Sequence, residues 1–281
     1  AIYRYNTYHF DKCIYVTSAG QSLHFAQFFK VLELMGYDWA KKLIHVPFGT
    51  VSIEGGKLST REGNIVLLDD IFNEAIKKTL EIMNEKNPGL ENKEEVAKAV
   101  GVGAVIFHDL SNNRIKDVNF VWDEVLNFDG STGPYVQYTY ARASSVLRKA
   151  GNVSDNFGDY EPVEAEISLI KQMLSFGDKV EQALSDYEPS VVTRYMLGLC
   201  SSFNIFYHDC PVMKADDFAI IRNFKYIAMT WLKFWFAVRF QLNSLAHSIH
   251  GICIFFFFDS PQTFLWQFAY FTHLKLYTPI I

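Results

Sequence analysis

The stretch GKLSTREGN (residues 56–64) carries two cations, Lys57 and Arg61, with Ser59 and Thr60 between them and glycines at 55, 56 and 63. Cations on a pliable backbone can close over an anion and meet its negative charge. By residue type alone, the same stretch also fits a solvated surface turn. Gln21 follows a short β-branched run, and an amide suits a guanidinium or an α-amino group. A helix-start glutamine facing solvent is the alternative there. His24 stands on an otherwise apolar helix face, where a packing histidine competes with a ligand contact. Tyr135, Tyr138, Arg142, Ser145 and Lys149 recur at helical spacing and put rings beside cations. Such a stripe suits unpaired nucleotides, since each base offers a π-face and each linkage a phosphate. Packing of the same tyrosines and arginine on a neighbouring helix explains the spacing equally. His208 with Cys210, and His247 with His250, lack a second pair at metal-ligand spacing, so no metal site is read.

The elements that would hold these residues follow from periodicity. Cys13 to Thr17 reads as a buried strand, and an amphipathic helix runs from about Gln21 to Met35, stopped by Gly36. Leu43 to Ile53 alternates as a second strand, and Glu54-Gly55-Gly56 opens a polar loop to Asn64. Asp69 to Glu85 and Lys93 to His108 have helical spacing, with Asn87-Pro88-Gly89 between them. Ser131 or Thr132 can cap a further helix that takes Pro134 in its first turn and ends at Gly151. Its other face is an apolar stripe of Val136, Tyr140, Ala143, Leu147 and Ala150. Helices at roughly Glu161 to Ser185 and Ser190 to Tyr207 make a bundle. Strand, helix, strand and then helices is the order of the later part of an α/β nucleotide-binding domain leading into an all-α one.

Composition narrows the classes. Of 281 residues, 49% are hydrophobic and 20% charged, with a net charge of −5, which excludes disorder and a blanket basic attraction to nucleic acid. The average hides a break: residues 214–281 carry a net +3, no glutamate and 12 of the 25 phenylalanines, whereas residues 1–213 carry −8. Cys13, Cys200, Cys210 and Cys253 form no C-x-x-C unit, which points to a reduced, cytoplasmic protein. Arg4, Asp11 and Lys12 interrupt the first residues, so no signal peptide is read. Lys233 and Arg239 interrupt the apolar run Tyr226 to Phe240, and Ile252 to Phe258 is too short to span a bilayer. No stable membrane partner is expected, with a membrane hairpin as the alternative.

The loop at Gly56 to Asn64 resembles the KMSKS loop of class I aminoacyl-tRNA synthetases in the KMSTR form of arginyl-tRNA synthetases. YHFDKCIYVTSAGQSLHFAQFFKVLELMGYDWA (Tyr8 to Ala40), HVPFGTV (His45 to Val51), VGVGAVIFHDL (Val100 to Leu110) and FDGSTGPYVQYTYAR (Phe128 to Arg142) resemble the same family in its order. The resemblance covers residues 1–213. It implies the second half of a Rossmann-type catalytic domain over residues 1–130, then a DALR-type helical anticodon-binding bundle over 131–213. It also implies the substrates: L-arginine, ATP with Mg²⁺, and arginine tRNA.

By that resemblance Lys57 matches the first lysine of the motif and Ser59 its serine. Thr60 stands where the usual second lysine would be, leaving Arg61 as the neighbouring cation. Gln21 matches a residue that binds arginine, and His24 belongs to an element near the nucleotide. Adenine is expected against the backbone of Val46, Phe48 and Gly49, although Phe48 is equally well accounted for as core. Tyr135 and Arg142 fall on positions that contact the tRNA anticodon region.

The HIGH motif of the family does not occur in this sequence, nor does the upstream tyrosine and aspartate pair that holds the arginine side chain. A truncated enzyme, inactive without the missing N-terminal half, is the expectation, with a tRNA-binding module or a non-functional fragment without catalysis as the alternative. Beyond Met213 a final helix rich in alanine, leucine and valine is expected. Trp231, Trp235, Phe255 to Phe258 and Trp266 stand there instead. Out-of-frame or read-through translation is one reading of residues 214–281, and a membrane-binding appendage the other.

Overall fold

Residues 12–18 form strand β1 (Lys12–Ser18), whose burial on both faces suits the β-branched run at its centre. The computed structural model describes residues 1–54, 56–57, 66–150, 162–210 and 252–256. These fall into two compact units: the described parts of 1–71 and 112–121 with strand β6 (Ile252–Phe256), and the described parts of 72–111 and 122–210.

In the first unit, helix α1 (Ile2–Tyr8) precedes β1, and α2 (Ser22–Leu34) follows it. Gly36 takes φ 86° just beyond α2, where Tyr37 N donates to Leu32 O and Gly36 N to Glu33 O. That pair of bonds closes the helix, and glycine is the residue that adopts the left-handed backbone without a Cβ penalty. Strand β2 (Leu43–Phe48) lies parallel to β1, with Cys13 opposite Leu43 and Ser18 opposite Phe48. Beneath them Phe10, Cys13, Tyr15, Phe25, Leu32, Trp39, Ala40 and Leu43 make the core.

The second strand expected over Leu43 to Ile53 is two strands in separate sheets. β2 ends at Phe48, and β3 (Val51–Ile53) pairs antiparallel with β4 (Gly56–Lys57) and parallel with β5 (Val118–Phe120). The break falls at Gly49-Thr50, whose backbone bonds to residues 114–118 rather than continuing along β1. β6 pairs parallel with the other edge of β1, Lys12 opposite Ile252 and Val16 opposite Phe256. An uncharged run, ICIFF, thus lies beside a strand whose central residues, Cys13 to Val16, are largely apolar.

The second unit is helical. It holds most of α3 (Leu68–Lys86), then α4 (Lys93–Ser111), α5 (Trp122–Val125), α6 (Gly133–Ala150), α7 (Glu164–Leu174), α8 (Phe176–Asp186) and α9 (Ser190–Asp209). Thr132 caps α6, its hydroxyl accepting from Tyr135 N at 3.3 Å. The buried face of α6 is Val136, Thr139, Ala143 and Val146; Tyr140 lies at its margin, only partly buried. Leu169, Tyr195, Leu199, Cys200, Phe203 and Phe206 complete the core from α7 and α9. The single helix expected across Glu161 to Ser185 is broken at Ser175, whose hydroxyl donates to Gln172 O at 2.8 Å. A serine bonding back to the preceding turn competes with the helix ladder and bends it. Among the described residues no helix is long and apolar enough to cross a membrane.

Candidate functional site

In the first unit the carboxyl ends of β1 and β2 lie side by side, the place where open parallel sheets bind ligands. Ser18 leaves β1 and caps the following turn, its hydroxyl accepting from Gly20 N at 3.3 Å. Gln21 then sits half-buried immediately before α2. His24 is exposed in the first turn of α2, its ring parallel to that of Phe28 at 6.2 Å and edge-on to Phe25 at 5.4 Å. On β2, Val46 is buried while Phe48 and Gly49 are half-buried at its exit. Phe25 joins these elements by stacking on His45 at 4.6 Å and 14°.

His45 and Thr17 were not among the residues singled out from sequence, yet they bond across the strand ends at 2.8 Å, Thr17 Oγ1 to His45 Nε2. Burial first, and then the Arg114 guanidinium, holds the imidazole below its usual 6.5. A histidine kept neutral in the fold takes up its proton more readily when unfolded. Stability from this ring is therefore present above pH 6.5 and lost as pH falls through the folded value. The half-buried ring of His108, also held down by burial, acts in the same direction in the other unit. An NMR titration is expected to place the His45 midpoint below 6.5, and a midpoint at or above 6.5 contradicts the account.

Residues 112–121 return along β2 and β3 and hold them. The Arg114 guanidinium donates to Pro47 O and Gly49 N to Arg114 O, both at 2.7 Å. Asp117 accepts from Thr50 N at 2.7 Å and from its hydroxyl at 2.6 Å. A Cβ at Gly49 would stand 2.3 Å from Lys116 O, so the glycine is required by a close backbone approach. Lys57 lies on β4 opposite Ser52. Ser59, Thr60 and Arg61 lie outside the described residues.

The second unit gathers a different cluster. Arg142 on α6 donates through Nη1 to Asn204 Oδ1 at 2.8 Å and through Nη2 to the Tyr138 hydroxyl at 2.9 Å. Its guanidinium carbon lies 4.7 Å from the Tyr138 ring centre and 5.2 Å from that of Tyr207. Asn204 Nδ2 donates to the Tyr135 hydroxyl at 2.9 Å. One amide on α9 therefore fixes both Tyr135 and Arg142, while Tyr138 remains 54% exposed. Rings and a cation held in one arrangement are preorganised to stack on an unpaired base. Asn204 and Tyr207 escape a reading of α6 alone.

Residues 1–122 match the family described as tRNA synthetases class I (R), catalytic domain, and residues 136–224 the DALR anticodon binding domain. The arginine–tRNA ligase of Alkaliphilus metalliredigens is 51% identical over 219 residues, which are 77% of this chain and 39% of that protein. The chain belongs to the arginyl-tRNA synthetase family. The ligase of Clostridioides difficile is 54% identical over 215 residues, 76% of this chain and 38% of that protein. The Thermus thermophilus arginyl-tRNA synthetase structure superposes with a TM-score of 0.71 at 32% identity, covering 79% of this chain and 39% of that one. The fold is thus that of a class I synthetase catalytic domain followed by a DALR helical domain. The chain spans about two-fifths of the length of the curated relatives it matches.

Proposed function

We propose that this protein serves arginine–tRNA ligation, in which arginine, ATP and tRNA give arginyl-tRNA, AMP and pyrophosphate in the cytoplasm. The observation that carries this is sequence identity of 51–54% to arginine–tRNA ligases across both units. Attack of the arginine carboxylate on the α-phosphorus expels pyrophosphate, so cations must meet charge growing on the β- and γ-phosphates. Lys57, Ser59, Thr60 and Arg61 form the loop assigned to that task. Gln21 holds arginine, and the adenine lies against the strand segment of Val46, Phe48 and Gly49, with His24 alongside. In this scheme Arg114 and Asp117 act as positioning residues, since they hold the segment that reads adenine. Mg²⁺ would accompany the phosphates of ATP.

The division of labour follows residues 1–130 for activation and 131–213 for tRNA. Tyr135 and Arg142 engage the anticodon region, with Tyr138, Asn204 and Tyr207 completing the surface. The match of residues 136–224 to the DALR anticodon binding domain also supports a second reading, a tRNA-binding module, or a non-functional fragment, without catalysis. Pyrophosphate exchange with arginine and tRNA separates the two. The purified 281-residue chain is expected to give no exchange alone and to gain it when the HIGH-containing part of a relative is added. Exchange by the chain alone would show that the other part is dispensable. Failure to bind arginine tRNA more tightly than a non-cognate tRNA in a filter assay would sink both readings.

A further inference from the structure

Lys179 of α8 and Arg194 of α9 line a cleft of about 320 Å³ together with Gln172, Gln182, Val191 and Tyr195. Among the described residues neither cation forms an ion pair with a carboxylate. None of the six lining residues is acidic. Arg194 is oriented from its own helix: Nε donates to Ser190 O at 3.1 Å and Nη2 to Ser190 Oγ at 3.2 Å. That leaves the Nη1 edge of the fork unused. Lys179 Nζ donates to Gln182 Oε1 at 3.2 Å, so the amide NH₂ of Gln182 keeps its donors free of that contact. The buried Tyr195 ring and Val191 supply an apolar wall. Glu188 already accepts from Ser190 N at 3.3 Å at the start of α9. The positive charge at the cleft therefore comes from the two side chains rather than from the helix end.

An arginine fork, an ammonium and side-chain amides lining one cleft supply the charge-assisted donors that a phosphate accepts. We propose that the α8–α9 cleft is a phosphate-binding site, taking either a backbone phosphate of tRNA or a free phosphate or pyrophosphate. It uses none of the residues assigned above to anticodon stacking, and only its tRNA source rests on the ligase reading.

Two measurements on the full chain test it. The first titrates inorganic phosphate and follows the NMR signals of the Arg194 Nε–H and the Gln172 and Gln182 side-chain amides. The second measures tRNA affinity against salt for the parent chain, Lys179→Gln, Lys179→Arg and Lys179→Gln/Arg194→Gln, with thermal melts to show that each is folded. Each lost phosphate contact lowers the slope of log K against log[salt] by roughly 0.7 to 0.9. A shallower slope for Lys179→Gln, with Lys179→Arg retaining the parent slope, supports the site with tRNA as source. Shifts with inorganic phosphate but an unchanged tRNA slope support it with free phosphate as source. Phosphate shifts in a chain that binds no tRNA would sink the ligase reading and leave the site standing. Unmoved signals together with unchanged slopes overturn the proposal.

Discussion

Gly49→Ala is expected to unlock the junction between β2 and β3. The new Cβ would lie 2.3 Å from Lys116 O, 2.5 Å from its carbonyl carbon and 2.8 Å from Asp117 N. All three are backbone atoms, so no side-chain rotation relieves the overlap. Either residues 114–118 move away, losing the bonds from Gly49 N to Arg114 O and from Val118 N to Thr50 O, or the β2 exit does. Overpacking of this kind costs about 1–3 kcal/mol, and two stranded hydrogen bonds add about 1 kcal/mol each. Urea denaturation should show the midpoint of the first unit falling accordingly, and hydrogen exchange should show faster amides at Gly49 and Val118. Gly177→Ala is the control, since nothing lies within 4 Å of a Cβ at that helical position. It is expected to stabilise the second unit by about 0.5–1 kcal/mol, as alanine does over glycine in a helix. A Gly49→Ala chain as stable as the parent would show that the close approach does not hold in solution.

Arg142→Ala carries the largest expected effect on RNA. It removes two side-chain hydrogen bonds and the cation beside the Tyr138 and Tyr207 rings. It also leaves Asn204 Oδ1 without its donor, so the amide that donates to the Tyr135 hydroxyl is no longer fixed. Stacking on one aromatic is worth about 1–3 kcal/mol per base. A loss of tRNA affinity of about ten- to a hundredfold is therefore expected at fixed salt. Arg142→Lys should recover little of it, because an ammonium cannot bond Asn204 and Tyr138 through one planar fork. A double-mutant cycle with Asn204→Ala separates the network from simple charge: coupling of about 0.5–3 kcal/mol is expected of residues that share it. If Arg142→Ala leaves affinity and discrimination between anticodon variants unchanged, the surface does not read RNA.

The two experiments bear on different kinds of residue. The sequence points to Gly49 as a backbone contact to adenine, while the structure shows why that position is glycine, the close approach of Lys116. Tyr135 and Arg142 were singled out from a stripe on one helix, and the structure adds the amide that holds them. In each case residue type pointed to the position, but its partner lay far away in the chain.

Local chemistry was legible in the sequence wherever partners lie within a few residues. The β-branched run of β1, the helix closed by Gly36, the cap at Thr132 and helices α3, α4, α6 and α9 follow from period and turn residues, whereas the break between α7 and α8 at Ser175 does not. The family followed from motifs, since GKLSTREGN, HVPFGTV and FDGSTGPYVQYTYAR are contiguous. What only the tertiary structure decided are the pairings across long separations. Arg114 meets Pro47 from 67 positions away, Asn204 meets Arg142 from 62 and Tyr135 from 69. The splitting of the second strand into β2 and β3 belongs with these, because a distant backbone supplies the bonds that end one and start the other. Periodicity records which face of an element is apolar, but many distant segments present a compatible face. Which of them is chosen depends on close packing of the whole core and on satisfying every buried backbone group at once.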